Sequence, residues 1–113
     1  MKLQIQPGSL RVRIDEAELA ALLGGEPLLL RLGLGSEVLV SLTVMMAARL
    51  SLVIEPGWQL NLPESELRDY IITLPRRDAL TLHVSRPGEE PLRLDFEVDV
   101  RDSLQVRGHR RRR

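Results

Sequence analysis

The chain of 113 residues contains no cysteine, which excludes disulfide staples and thiolate metal sites. It is also poor in aromatic residues: Trp58, Tyr70 and Phe96 are the only three, 3% of the chain. The core must therefore be aliphatic, mostly Leu and Val. Long hydrophobic runs are missing as well. The longest apolar-looking stretch, Val38 to Ile54, is broken by Ser41, Thr43, Arg49 and Ser51, and is too short and interrupted to span a bilayer. Met1 to Pro7 alternates polar and apolar residues and lacks the continuous apolar stretch of a signal peptide. A soluble cytoplasmic protein is expected. The glycine patterns of nucleotide sites are absent too. Pro7-Gly8, Pro56-Gly57 and Pro87-Gly88 read as turns, and Gly33-Leu34-Gly35 does not open a helix of a dinucleotide-binding unit. No cofactor and no metal are expected.

What is present first is a repetition. Leu3-Gln4-Ile5-Gln6-Pro7-Gly8 recurs 49 residues later as Leu52-Val53-Ile54-Glu55-Pro56-Gly57. Each copy runs into an alternating segment and then a carboxylate-rich helix start, Asp15-Glu16-Ala17-Glu18-Leu19 and Pro63-Glu64-Ser65-Glu66-Leu67, here offset by 48 residues. Two pseudo-repeats, about 2–47 and 50–100, are expected within one domain spanning 1–104, a length that buries roughly two-thirds of its unfolded surface.

The local patterns support this division. Leu3 and Ile5, then Leu10, Val12 and Ile14, alternate with polar neighbours around the Pro7-Gly8 turn, as a hairpin does. Asp15 and Glu18 have the spacing of a capping box, Leu19, Leu22 and Leu23 form one stripe, and Gly24-Gly25 ends the helix. So short a helix must pack on a sheet to persist. Leu28 to Leu34 and Val38 to Met45 are the next strands, with Met45 to Ala48 open between strand and helical turn. Leu29 and Leu39 lie opposite the main apolar faces of this hairpin, so cover on both sides is expected in places. In the second half Leu50 to Ile54 and Gln59 to Leu62 read as strands. Pro63 stands where a first helical residue would be, and Leu67, Tyr70 and Ile71 form the helix's apolar side. Ala79 to Ser85 and Leu92 to Val100 close the pattern, the latter with Arg93, Asp95, Glu97 and Asp99 facing out. The expected fold class is α+β: antiparallel-rich sheets from two ββαββ units, with two short helices covering one face. One sheet or two remains open.

Lys2-Leu3-Gln4-Ile5, then Gly8-Ser9-Leu10-Arg11-Val12-Arg13-Ile14 and the Glu16 to Leu19 helix start, resemble the opening of a family of small uncharacterised bacterial proteins, a domain of unknown function. Leu60-Asn61-Leu62-Pro63 and Leu92 to Asp99 resemble that family's second half. The likeness covers most of residues 2–102. It departs where the family carries a Trp within the second helix: this chain has Tyr70 there and places Trp58 before the strand. The resemblance implies an α+β fold and a bacterial source, and brings no activity or site residue with it.

Candidate chemistry is sparse. His83 shares a strand face with Thr81 and Ser85 and should lie near Arg93 or Asp95, depending on register. A His83–Asp95 pair could in principle move protons. No third group is signalled, so no catalytic assignment is made and an enzyme is not favoured. Asp95, Glu97 and Asp99 form a carboxylate row, but alternate strand residues lie about 7 Å apart, too far to chelate one ion. A solvated face matched by Arg11 and Arg13, within the chain or across a dimer, is the better reading. Trp58 reads equally as a partner contact and as a cover over the core. The tail is strongly basic: Arg107, Arg110, Arg111, Arg112 and Arg113 hold five of the 16 basic groups, leaving the first 106 residues at net −5. With no apolar residue after Val106, residues 105–113 should be disordered. They could contact phosphates through charge and bidentate hydrogen bonds, without base stacking. The expected function is a small non-enzymatic protein-interaction or accessory module, with homodimer formation open. The alternatives are a small-molecule-binding or sensor domain with a pocket between the halves, and charge-driven nucleic-acid binding through the tail.

Overall fold

A computed structural model describes residues 1–75 and 78–100. The strands are β1 (Lys2–Gln6), β2 (Ser9–Asp15), β3 (Leu28–Leu34), β4 (Glu37–Ala47), β5 (Ser51–Val53), β6 (Trp58–Pro63), β7 (Leu80–Val84) and β8 (Leu92–Asp99). Helix α1 (Glu16–Leu23) follows β2 and helix α2 (Glu64–Ile72) follows β6. The fold is α+β. The eight strands of the described residues form two four-stranded sheets, ordered β1-β2-β8-β7 and β3-β4-β6-β5. Outer pairs in each sheet are antiparallel; the central pairs, β2–β8 and β4–β6, are parallel.

Each sheet takes one hairpin from each half of the chain, and the two sheets use the same register. In the first sheet Arg13 lies between Lys2 of β1 and Glu97 of β8. In the second, Asn61 lies between Ser51 of β5 and Met45 of β4. Likewise Phe96 stands between Val12 and Leu80, as Val44 stands between Leu60 and Leu28. Position for position, the pairing of the second sheet matches that of the first with the halves exchanged.

Burial follows strand parity. Val12, Ile14, Leu94 and Phe96 from the first sheet, and Leu42, Val44, Leu60 and Leu62 from the second, are at most 1% exposed and belong to one cluster with Leu22 and Leu67 of the helices. Phe96 meets Tyr70 edge to face at 6.3 Å, and these two rings supply the bulk that an aliphatic core otherwise lacks. Helix α1 touches β2 and β8 of one sheet and β3 and β4 of the other. It therefore bridges the sheets rather than covering one face, because β2 and β3 belong to different sheets and the chain must cross between them.

The local signals hold to different degrees. Asp15 caps α1 reciprocally with Glu18: its carboxylate accepts from the Glu18 N–H at 2.7 Å, and the Glu18 carboxylate accepts from the Asp15 N–H at 3.0 Å. Gly25, at φ +88°, sits just past the helix end, where a left-handed residue is needed. Pro63 is the N-cap of α2 and the last residue of β6, not a first helical residue. Its extended backbone, φ −68° and ψ 121°, continues the strand pairing to Ala47. Trp58 belongs to β6, opposite Leu42, and packs partly buried against the core as a cover. Met45 to Ala47 continue β4. The expectation of cover on both faces of the β3–β4 hairpin fails. Leu29, at the hairpin's base opposite Thr43, and Leu39, at its bulge near the turn, are both exposed, because among the described residues no helix or strand packs over them. Among the described residues no helix is long and apolar enough to cross a membrane.

Removing the Phe96 ring empties the centre of the cluster. Phe96→Ala should cost about 3–5 kcal/mol of unfolding free energy, whereas Asp15→Ala should cost about 1 kcal/mol through the lost cap. Urea denaturation of the two variants beside the wild type checks this. Near-equal losses would show that the ring is not the keystone of the core.

Candidate functional site: the charged face of the first sheet

Parity sends one side of each strand of the first sheet away from the core, and these side chains form ordered rows. Lys2, Arg13 and Glu97 make one row; Gln4, Arg11, Asp95 and Thr81 the next; Gln6, Ser9, Arg93 and His83 a third. The parallel β2–β8 pairing sets the arginines of β2 directly beside the carboxylates of β8. Arg11 and Arg13 are thus the within-chain partners of the acidic row.

Glu97 departs from its expected exposure. It is 9% exposed, enclosed by the two guanidiniums that lie over it. Arg13 Nε donates to Glu97 Oε1 at 2.7 Å and Arg11 Nη2 to Oε2 at 3.3 Å. Both carboxylate oxygens are engaged, as a buried charge requires. The arginines themselves remain about half exposed. A groove of about 370 Å³ lies over this corner, lined by Lys2, Gln4, Arg11, Arg13 and Glu97.

Asp95 is engaged separately. Thr81 Oγ1 donates to its Oδ1 at 2.7 Å, and Arg93 Nε donates to the same oxygen at 3.1 Å. Burial alone would push the Asp95 carboxyl up. The hydrogen bonds from Thr81 and Arg93, with the positive charges of Arg93 and Arg11, outweigh burial and hold its pKa below the ordinary 3.8. Asp95 is thus kept as a carboxylate with two donors on one oxygen, a poor starting point for a general base.

His83 sits exposed opposite Arg93, one row from Asp95, with no hydrogen bond or ion pair among the described residues. The register brings His83 to the arginine and gives the aspartate to Thr81, so the His83–Asp95 pair does not form. Among the described residues no three His, Asp or Glu side chains group as a metal site. Arg107, Arg110, Arg111, Arg112 and Arg113 lie outside the described residues. Sequence reasoning missed the Lys2–Arg13 adjacency. Its signal was the alternation of β1 and β2 around a two-residue turn, from which the cross-strand partners of Lys2 could have been counted.

A second feature is apolar. Along the β3–β4 hairpin, Leu32, Leu34, Val38 and Leu39 near its turn and Leu29 at its base, opposite Thr43, are between 49% and 67% exposed. A third is an open groove of about 320 Å³ between the helices, lined by Leu19, Leu23, Ile71, Leu74 and Val100 with Glu16 at its polar margin. No protein family, curated protein or solved structure matches this chain.

The lowered pKa of Asp95 makes a signed prediction. A carboxylate whose folded pKa lies below its unfolded value stabilises the fold above the unfolded pKa, and that stability is lost as pH falls through the folded one. The stability advantage of wild type over Asp95→Asn should therefore be full at pH 5–7 and shrink toward zero as pH drops below 3.8. Thermal unfolding of both proteins across pH 2.5–7 checks it. A constant difference across that range would show that Asp95 acts by shape alone.

Proposed function

We propose that the protein is a non-enzymatic interaction module that works as a homodimer through its β3–β4 hairpin. The observation that carries this is the group of four large apolar side chains at the hairpin's free end, Leu32, Leu34, Val38 and Leu39, each half to two-thirds exposed. Isolated exposed leucines need no explanation, but several exposed apolar side chains gathered around one protruding turn support a contact surface.

A second copy fits better than other occupants for two reasons. Strand β3 is an edge of its sheet, and of the four sheet edges it is the longest, equal-sided to none of its short counterparts β1, β5 and β7. Arg31 is its single charge. Such an edge offers unpaired backbone donors and acceptors to another strand, and antiparallel pairing of an edge with itself about a twofold axis is self-complementary. The energies are also of the right order. Full burial of a Leu or Val side chain stabilises by about 1.5–3 kcal/mol, so the exposed remainder of these four gives at most about 4 kcal/mol per protomer, or about 8 kcal/mol across the axis. Association itself costs about 4–15 kcal/mol. Side chains alone bring the balance near zero, and the edge-strand hydrogen bonds tip it toward a micromolar dimer.

Two further readings belong here. The shared register of the two halves supports an origin by duplication. The lack of cysteine is compatible with a reducing cytoplasm, and the bacterial source follows from the family resemblance alone. The alternative function, a small-molecule or sensor domain, draws on the apolar groove between α1 and α2, to which both halves contribute. That groove is open and has one polar margin, whereas ligand pockets are usually more enclosed.

Analytical ultracentrifugation tests the dimer. The wild type should sediment as a dimer at tens of micromolar, about the range of the balance above. A Leu32→Lys/Leu39→Lys variant should be monomeric with its unfolding midpoint nearly unchanged, since both side chains are already exposed. A wild type that stays monomeric at several hundred micromolar, a range beyond weak dimers, defeats the reading.

A further inference from the structure

We infer that the Lys2–Arg11–Arg13 corner of the first sheet is a binding site for the phosphate group of a small phosphomonoester, with Glu97 as the residue that positions the two guanidiniums. This site is independent of the hairpin contact.

The pairing of the two sheets is what singles the corner out. Arg13 and Lys2 of the first sheet occupy the positions held by Asn61 and Ser51 in the second, and Glu97 occupies that of Met45. Arg11 likewise matches Gln59, since each stands one row away, beside Asp95 and Thr43 respectively. In the second sheet these positions satisfy one another without charge. Gln59 Nε2 donates to Asn61 Oδ1 at 3.0 Å and Asn61 Nδ2 donates to Ser51 Oγ at 2.8 Å. The fold therefore does not require ions at these positions. In the first sheet it carries three cations and one carboxylate there.

That arrangement is costly without a ligand. Lys2 and Arg13 are direct cross-strand neighbours, and like charges so placed repel. Lys2, the only lysine in the chain, has no hydrogen bond or ion pair among the described residues. Arg13 gives Glu97 only its Nε, so its two terminal nitrogens stay available as a fork. Glu97 beneath them is saturated by the two arginines and fixes their direction, as a carboxylate behind a binding arginine does.

Charge and shape select the ligand. Three cations less the Glu97 carboxylate leave two positive charges, Asp95 beside Arg11 being offset by its own ion pair with Arg93, and two charges match the −1.5 to −2 of a phosphomonoester near neutral pH. The cations come from adjacent strands about 5 Å apart and from positions about 7 Å apart along β2. The three terminal oxygens of a phosphate can meet all three; the two oxygens of one carboxylate cannot. Gln4 adds a neutral donor and acceptor in the same groove, whose 370 Å³ suits a small molecule.

Amide chemical-shift titration of the full chain tests the site, with phenyl phosphate as probe and benzoate as control at constant ionic strength. Saturable shifts clustered at Lys2, Gln4, Arg11 and Arg13 with phenyl phosphate, and not with benzoate, are expected. Arg13→Gln should weaken the affinity about tenfold or more, the value of one charge-assisted hydrogen bond. Glu97→Gln separates positioning from bulk charge. It raises the net positive charge, so an undirected patch would bind more tightly; a held pair of arginines should bind more weakly. Should Glu97→Gln fail to fold, Lys2→Gln joins Arg13→Gln as the second variant and is expected to weaken binding too. The Leu32→Lys/Leu39→Lys variant should bind as the wild type does, which keeps this result apart from the dimer's. Non-saturating shifts, an equal response to benzoate, or tighter binding by Glu97→Gln would overturn the assignment.

Discussion

The rest of the structure depends on the two parallel central pairs, β2–β8 and β4–β6. Each joins strands from opposite halves of the chain, and each stands in the middle of its sheet. Neither half can complete a sheet alone, because each hairpin has an open inner edge that only a hairpin of the other half covers. The cost is entropic: β2 and β8 are more than 80 residues apart, and such contacts must be closed before they reward the chain. What offsets the cost is the single aliphatic cluster, in which both sheets and both helices share buried side chains. The Tyr70–Phe96 contact sits at this junction, linking α2 of the second half to the strand that pairs with β2.

The same pairing creates the charged face. Arg11 and Arg13 lie on β2, Asp95 and Glu97 on β8, and only the parallel register sets them side by side. Ion pairs on an open sheet face contribute little to stability. Glu97 differs because the two guanidiniums enclose it, and a half-removed pair there would leave a poorly solvated charge. The corresponding positions of the second sheet do the structural task with amides and a hydroxyl. One scaffold thus carries two chemically distinct faces: one charged and preorganised, the other neutral and self-satisfied.

The β3–β4 hairpin shows how symmetry of fold differs from symmetry of surface. Its counterpart, β7–β8, has the same register but polar residues on its outer side: Thr81 and His83 stand where β3 has Leu29 and Arg31. β4 is also eleven residues long, so its end extends past the strands that could cover it. A two-residue turn, with Gly35 at φ +61°, closes this extension into a protruding apolar element. The protein therefore has an exposed apolar hairpin at one edge and an ionic corner on the other sheet.

Much of the local structure was legible in the chain. Period-two alternation placed the strands, the Asp15–Glu18 spacing placed a capped helix start, and Gly24-Gly25 placed its end, because these depend on neighbours within four residues. The α+β class followed from the order of those elements. The exchange of hairpins between sheets was not legible, nor was the burial of Glu97, the separation of His83 from Asp95 or the exposure of Leu29 and Leu39. Strand parity says which side of a sheet a residue takes. It does not say what lies over that side or which strand stands beside it. Those depend on which strands pair and in what register, across separations from ten residues between His83 and Arg93 to more than 80 between β2 and β8, and only the packed tertiary structure decides them.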